Sequence, residues 1–431
     1  MDFNKMVTHD GSRAFHKGFL TFYGKAMAEN SNYLPNYPGI DFQFSQELNQ
    51  PSMETKDCSY VETRPTFILS NDDIFNLGHY MNDVIGIWSM MLISNAYHPL
   101  NQSVLLNIDG FRYGGPAGGP AHRLMLPGRP DEHGPYSKEY YSRWFNGDEN
   151  VLQAKTYSLS HRKVCFKELY PFPLPGIPWF WNEWGRDDEC SLESSSPIYQ
   201  SFNVFLRQKL IDSYAKEHQR QRQQEQQKVK KRLKFPSEEE YYHIVIEVRS
   251  IKKKNVNNHS GGRFIKNLPE LIEALQSIQV ISSSSGSQNG QFIPIKVTAQ
   301  DFSLLSFEEQ IRLAHTASVF VSMHGAGTTH IFHMAVGDKK CCGLIEMFPD
   351  KSVDLYTAKG YSNLARMLGF YHTRYLAADG STSSTGTKVD TQQLKEMTAG
   401  VLKRMVDGEG TCLHNVKDTR LPVFESPLAF D

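Results

Sequence analysis

Residues 318–327 read SVFVSMHGAG. The first six are almost uniformly apolar, the pattern of a strand buried on both faces of a parallel sheet. His324, Gly325, Ala326 and Gly327 follow directly, and 328–335 then read as helix. The segment is therefore a strand, a glycine-containing turn and a helix. Such a turn gathers backbone N–H groups at the positive end of a helix, and glycine lets an anion approach the main chain closely. A turn required only for tight packing has the same composition, so the tetrapeptide needs support from its surroundings.

That support comes from the flanks. YHIVIEV at 242–248 and CGLIEM at 342–347 are further buried-type strands, 293–297 is a shorter one, and 268–275 and 307–316 carry helical periodicity. Strand alternating with helix at this spacing specifies an α/β fold with right-handed crossovers and helices on both faces of a parallel sheet. A last amphipathic helix is expected over 392–406.

Upstream, 66–69 and 103–108 read as strands around a helix over 75–93, and further strands surround Val151 and Val164. Ile198, Phe202, Phe205, Leu206, Leu210 and Tyr214 line one face of another helix. The run GGPAGGP at 114–120 is a loop. These readings divide the chain into an irregular arm at 1–60, a first α/β domain at 61–215, a charged Gln/Lys-rich linker at 216–240, a second α/β domain at 241–380, and a C-terminal helix and tail at 381–431.

With 431 residues the chain exceeds one ordinary core, in keeping with two domains. Lys plus Arg number 46 against 47 Asp plus Glu, which removes the electrostatic case for nucleic acid as a partner. No stretch is long and apolar enough to span a bilayer or serve as a signal peptide, so membrane association is expected only through an anchor outside this sequence. The six cysteines show no CxxC spacing, which argues against a zinc knot or a thioredoxin-type motif.

Several polar residues stand where parallel sheets bind ligands. Arg249 and Ser250 close the strand at 242–248, and arginine there can grip a diphosphate in bidentate fashion. Arg263 and Asn267 precede the next helix, as ligand contacts or as caps. Glu346, one crossover beyond the turn, is placed to accept hydrogen bonds from ribose hydroxyls or to pair with a lysine. His324 either stays neutral or is protonated beside phosphate. In the first domain Asn76, His79 and Asp83 form N-x-x-H-x-x-x-D, a polar stripe on an otherwise apolar helix. That stripe either faces solvent or faces a cleft where His79, oriented by Asp83, is a general base.

Two rival chemistries are poorly supported. An α/β-hydrolase needs a GxSxG nucleophile elbow, and GYSNL at 360–364 has leucine at the second glycine. A metal held by His324, His330 and His333 lacks a carboxylate at metal spacing.

Taken together, NLGHYMND at 76–83, KVCFKEL at 163–169, EVRS at 247–250, RFIKN at 263–267, LSFEEQIRLAHTASVFVSMHGAG at 305–327 and LIEMFP at 344–349 resemble glycosyltransferase family 61. The resemblance implies a GT-B type fold, two Rossmann-like domains with parallel sheets facing across a cleft. It further implies an inverting transfer from a nucleotide-sugar, usually a UDP-sugar, to a hydroxyl of a glycan or glycoprotein, with no obligatory metal or other cofactor. Arg249 and His324 to Gly327 would hold the diphosphate, Glu346 the ribose, with Ser250, Arg263 and Asn267 as further donor-binding candidates, and Asn76, His79 and Asp83 would face the cleft. Golgi or endoplasmic reticulum lumen is the implied location. This sequence has Thr328 and Thr329 where the family often has an apolar residue and Asn. A catalytically inactive carbohydrate- or nucleotide-binding protein on the same fold is the alternative from another functional class.

Overall fold

The computed structural model describes residues 60–70, 76–93, 104–108, 136, 138–145, 151–153, 164–166, 169–171, 197–225, 241–249, 263–282, 291–335, 342–349, 359–377 and 386–407. The chain forms two compact units, and the division falls ahead of residue 197, upstream of the charged stretch at 216–240.

In the first unit the strands are β1 (Tyr60–Glu62), β2 (Thr66–Ser70), β3 (Val104–Ile108), β4 (Val151–Gln153), β5 (Val164–Phe166) and β6 (Leu169–Pro171). β4, β3, β2 and β6 make one sheet, in that order, and every pairing is parallel. β1 pairs with β5, also in parallel. Helix α1 (Leu77–Ile93) begins at Asn76, whose side-chain oxygen accepts from the Gly78 N–H at 3.0 Å, a cap of the preferred kind. It buries Leu77, Tyr80, Met81, Val84, Ile85 and Trp88 along one stripe at helical spacing, and Ile87 beside it. Tyr80 packs against Tyr136, Tyr140 and Tyr141 with ring centroids 5.1 to 5.9 Å apart.

The second unit opens with α2 (Pro197–Glu225), followed by β7 (Tyr242–Val248), α3 (Leu268–Gln276), β8 (Val280–Ser282), β9 (Gln291–Ile293), β10 (Ile295–Asp301), α4 (Phe307–Thr316) and β11 (Val319–Met323). After a 3-10 helix over Ala326–His333 come β12 (Gly343–Phe348), α5 (Lys359–Leu368), β13 (Tyr371–Leu376) and α6 (Thr391–Asp407). The expected strand at 293–297 is split. Pro294 has no N–H to donate to a ladder, so β9 pairs antiparallel with β8 while β10 joins the main sheet. The expected helix at 328–335 is instead the tighter 3-10 form.

The main sheet runs β10-β7-β11-β12-β13, all parallel. Numbered within the unit this is the doubly wound order 2-1-3-4-5, whose direction of winding reverses between the first and third strands. Those are β7 and β11, so the crevice at the carboxyl ends of these two strands is where the topology favours a ligand. Ile244, Ile246, Val319, Val321, Ile345 and Met347 form one face of the core with Leu271 and Leu275 of α3 and Leu394, Val401, Leu402 and Met405 of α6. The last helix therefore belongs to this core. On the opposite face Phe302 packs edge-on to Phe320, and Phe202 of α2 edge-on to Phe332. Among the described residues no helix is long and apolar enough to cross a membrane.

Burial lowers four histidines of this unit: His243 and His315 to about 4, His330 to about 3, and His333 well below its ordinary value. Nearby charge adds to burial at three of them, Lys296 at His243, Arg207 at His315 and the other two imidazoles at His333. In the unfolded chain they titrate near 6.5, so below that pH the unfolded state binds more protons than the folded one. Their effect on stability is nil above about pH 7 and increasingly unfavourable as pH falls toward 4, by up to about 1.4 kcal/mol per group per pH unit. Glu247, raised chiefly by burial, works in the opposite direction. The thermal midpoint is expected to fall by several degrees between pH 7 and pH 5, and a midpoint that stays level or rises over that range in a calorimetric series would contradict this balance.

Candidate functional site

The strand pairing assembles the site. In register across the sheet, Glu247 of β7 lies beside Ser322 of β11, Ser322 beside Glu346 of β12, and Glu346 beside Arg374 of β13. Paired residues of a parallel sheet share a face, so four polar side chains form a row under the turn that leaves β11.

At the β7 end of the row, Ser322 Oγ donates to Glu247 Oε2 at 2.6 Å, and the Arg249 Nε lies 3.7 Å from Glu247 Oε1. Residues 247 and 249 are two apart on one strand, which puts both side chains on the same face. The Glu247 carboxyl is raised by burial, a push that Arg249, the serine hydrogen bond and Arg263 offset only in part. Arg263 comes to the same place from the segment before α3. Burial lowers its pKa, and the like charge of Arg249 lowers it further. Among the described residues the Arg263 guanidinium has no hydrogen bond and no ion pair.

Both guanidiniums abut the turn. A Cβ placed on Gly325 would lie 2.6 Å from Arg263 Nη1 and 2.7 Å from Arg249 Nη2, and its φ of 149° is a conformation that favours glycine. A Cβ on Gly327 would fall on the Glu247 carboxylate. The two glycines thus let the main chain sit directly on this charged cluster. Gly327→Ala should cost about 1–3 kcal/mol, the usual range for an overpacked buried site. Gly400 in α6 has nothing within 4 Å of an added Cβ, so Gly400→Ala should instead stabilise by about 0.5–1 kcal/mol. Equal behaviour of the two variants in denaturant titrations would remove the requirement for glycine at 327.

At the other end of the row, Glu346 is fully buried and accepts from His324 Nδ1 at 2.6 Å and from His372 Nε2 at 3.0 Å. Burial pushes its carboxyl up, but the hydrogen bonds from His324 and His372, together with the electrostatic attraction of the same two side chains, outweigh this and hold it below the usual range. The His324 ring stacks on Phe348 at 4.9 Å, meets Tyr361 edge-on at 5.5 Å, and its backbone N–H donates to the Met347 carbonyl at 2.8 Å.

Of the residues singled out in the sequence, Arg249, Arg263, His324, Gly325, Ala326, Gly327 and Glu346 come together here. Glu346 lies inside β12, not at its end, and both its oxygens are taken by imidazoles. Asn267 is used structurally: its amide donates to the Val389 carbonyl at 2.8 Å and accepts from the Val389 N–H at 2.9 Å. Asn76 is the cap of α1. Ser250 lies outside the described residues, as do the side chains of His79 and Asp83, whose backbone forms part of α1. Thr328 and Thr329 are buried and bonded inward, Thr328 Oγ1 to Ser322 Oγ at 2.9 Å and Thr329 Oγ1 to the Tyr361 hydroxyl at 3.2 Å. Among the described residues no group of three or more His, Cys, Asp or Glu is arranged to hold an ion. Glu247, Ser322, His372 and Tyr361 were not singled out; the i, i+2 spacing of Glu247 and Arg249 was the available sign for the first.

Residues 77–341 match the sequence profile of the family Glycosyltransferase 61. Among curated proteins the chain is 22% identical over 342 residues to the EGF domain-specific O-linked N-acetylglucosamine transferase of Rattus norvegicus, covering 77% of this chain and 49% of that protein. The Xenopus laevis protein of the same name is 21% identical over 334 residues, covering 76% and 48%. The chain thus spans about half the length of the curated relatives it matches. Among solved structures, a bacterial iron-containing dodecameric glycosyltransferase, TibC from enterotoxigenic E. coli, aligns at 10% identity over 67% of this chain and 59% of that one. Its TM-score is 0.22, too low to carry an argument.

Proposed function

The chain belongs to glycosyltransferase family 61, and from that premise we propose that it moves a sugar from a nucleotide-sugar, a UDP-sugar, to a hydroxyl of a glycan or glycoprotein. The observation that carries this reading is the pair of guanidiniums at Gly325. Two like charges share one buried carboxylate, and one of them, Arg263, makes no hydrogen bond or ion pair among the described residues, at the winding reversal of a parallel sheet. Two cations beside a single carboxylate leave positive charge unmatched, and a diphosphate supplies the missing negative charge. The names of the relatives specify N-acetylglucosamine and EGF domains; for this chain the broader class of a protein- or glycan-borne hydroxyl is proposed.

On this reading the fold is of GT-B type and the reaction a single displacement with inversion. The acceptor oxygen attacks the anomeric carbon, the bond from that carbon to the diphosphate breaks, and the acceptor proton passes to a base, for which His79 oriented by Asp83 is proposed. Arg249, Arg263 and the N–H groups of the turn take up the charge on departing UDP, a role that in other enzymes falls to a divalent ion, so no obligatory metal is expected. The family also makes the Golgi or endoplasmic reticulum lumen the proposed location.

The test is incubation with a panel of UDP-sugars, following UDP release in the presence and absence of glycan and glycoprotein acceptors and of a chelator. Release of UDP from one donor, insensitive to the chelator, is expected. Tight nucleotide binding with neither hydrolysis nor transfer would favour a silent binding protein, and no binding at all would remove the donor site from this surface.

A further inference from the structure

The sequence assigns ribose recognition to Glu346, but a carboxylate with both oxygens already accepting from imidazoles, and no exposed surface, is badly placed to take hydrogen bonds from a ligand. An ionised carboxylate only accepts, so each imidazole nitrogen facing it must carry a hydrogen. For His324 that nitrogen is Nδ1. The neutral ring then has its unprotonated nitrogen at Nε2, which among the described residues has no hydrogen-bond partner, on a side chain still 18% exposed. Phe348 and Tyr361 hold the ring plane, and Met347 holds the backbone. Three independent contacts therefore fix one nitrogen inward and leave the other as an acceptor next to the glycine that abuts both guanidiniums.

We propose that Glu346, itself steadied by His372, is a positioning residue that sets the tautomer of His324, and that His324 Nε2 accepts a hydrogen bond from a hydroxyl of the ribose of the bound nucleotide. The second half rests on the nucleotide-sugar reading above. The first half does not, because the tautomer is a property of the unliganded protein. A carboxylate behind an imidazole is a recurrent way of fixing which ring nitrogen meets the ligand. Replacing Glu346 by glutamine leaves one oxygen and one NH₂ to face two imidazole donors, so one ring must change tautomer or lose its bond.

The experiment uses the full chain with ¹⁵N-labelled histidine and two probes, UDP and inorganic pyrophosphate. In the wild type, the His324 ring, identified by its loss in His324→Gln, is expected to show a protonated Nδ1 and an unprotonated Nε2. Glu346→Gln should change the signature of His324 or, where the amide oxygen turns to His324, that of His372; with the His324 change UDP binding should weaken about tenfold, one hydrogen bond's worth, while pyrophosphate affinity changes less than twofold. His324→Gln leaves the Glu346–His372 pair in place and should show the same discrimination, which keeps the test available should Glu346→Gln not fold. His372→Gln, which can still donate to Glu346, should stay near wild type. Unchanged signatures of both His324 and His372 in Glu346→Gln would overturn the positioning role. Equal losses for UDP and pyrophosphate would overturn the hydroxyl contact. Failure of wild type to bind either probe would overturn the nucleotide reading and with it the contact, while the ¹⁵N spectra still judge the tautomer.

Discussion

Arg249→Ala and Arg263→Ala, combined, should weaken UDP binding by about 10²- to 10⁴-fold, since each removes a charge-assisted contact of roughly 1.5–3 kcal/mol. The singles carry the sharper test. In the unliganded protein Arg263 is desolvated and repelled by Arg249, and the attraction of Tyr361 and Glu247 offsets this only in part, so its charge is a burden on the fold. Arg263→Ala should therefore raise the thermal midpoint while lowering UDP affinity, two readouts moving in opposite directions. Arg249→Ala should show less gain in stability, because it also removes the counter-charge 3.7 Å from buried Glu247. The two sites touch the same loop and each other, so their effects should not add: once one guanidinium is gone the other no longer suffers its repulsion. Calorimetric titration together with thermal melts checks all three variants. A fall in midpoint with unchanged UDP affinity for Arg263→Ala would make that arginine an ordinary structural cation.

The same cluster shows which parts of the site were legible in the sequence. The strand–turn–helix at 318–335 and the strands at 242–248 and 343–348 could be read because apolar runs, glycine and helical spacing are local signals. Their polar ends could be listed for the same reason. What could not be read was lateral registry. That Ser322 stands beside both Glu247 and Glu346 follows from how β11 pairs with its neighbours, which no window of sequence contains. Glu346 was accordingly given a ligand in place of His324 and His372, the second of which sits on a strand that went unrecognised. Thr328 and Thr329 looked like a departure at the phosphate turn. They prove to be its inner wall, since the 3-10 helix turns both hydroxyls toward Ser322 and Tyr361. Asn76 and Asn267 each stand immediately before a helix; capping is the alternative reading for Asn267, while Asn76 reads as part of the polar stripe. Asn76 does cap; Asn267 instead ties down the main chain at Val389. A short amide at a helix start has backbone groups in reach before any ligand arrives, so such a residue is weak evidence for a site.

His79→Ala should lower turnover by about two to four powers of ten while leaving UDP affinity nearly intact, the expected loss when a general base is removed from a step it serves. Position 79 belongs to α1, and at 3.6 residues per turn positions 79 and 83 lie on the side opposite the buried stripe of Leu77, Tyr80, Met81, Val84, Ile85 and Trp88. Gly86 and Ile87, one turn on from Asp83, are buried, so the side is not simply given over to solvent there. A histidine and an aspartate spaced i, i+4 on such a side carry a polar cost that a catalytic role would explain. Asp83→Asn should reduce turnover in the same sense, and the double variant should be no slower than His79→Ala, because an imidazole already removed has no need of an orienting carboxylate. Turnover per folded molecule, measured with saturating donor and acceptor beside UDP affinity and thermal midpoint, separates the possibilities. A lowered midpoint with normal turnover would make the pair structural. Loss of UDP affinity in His79→Ala would move that residue to the donor side, and the base would then be sought at Asp72 or Asp73, the nearest carboxylates ahead of the same helix.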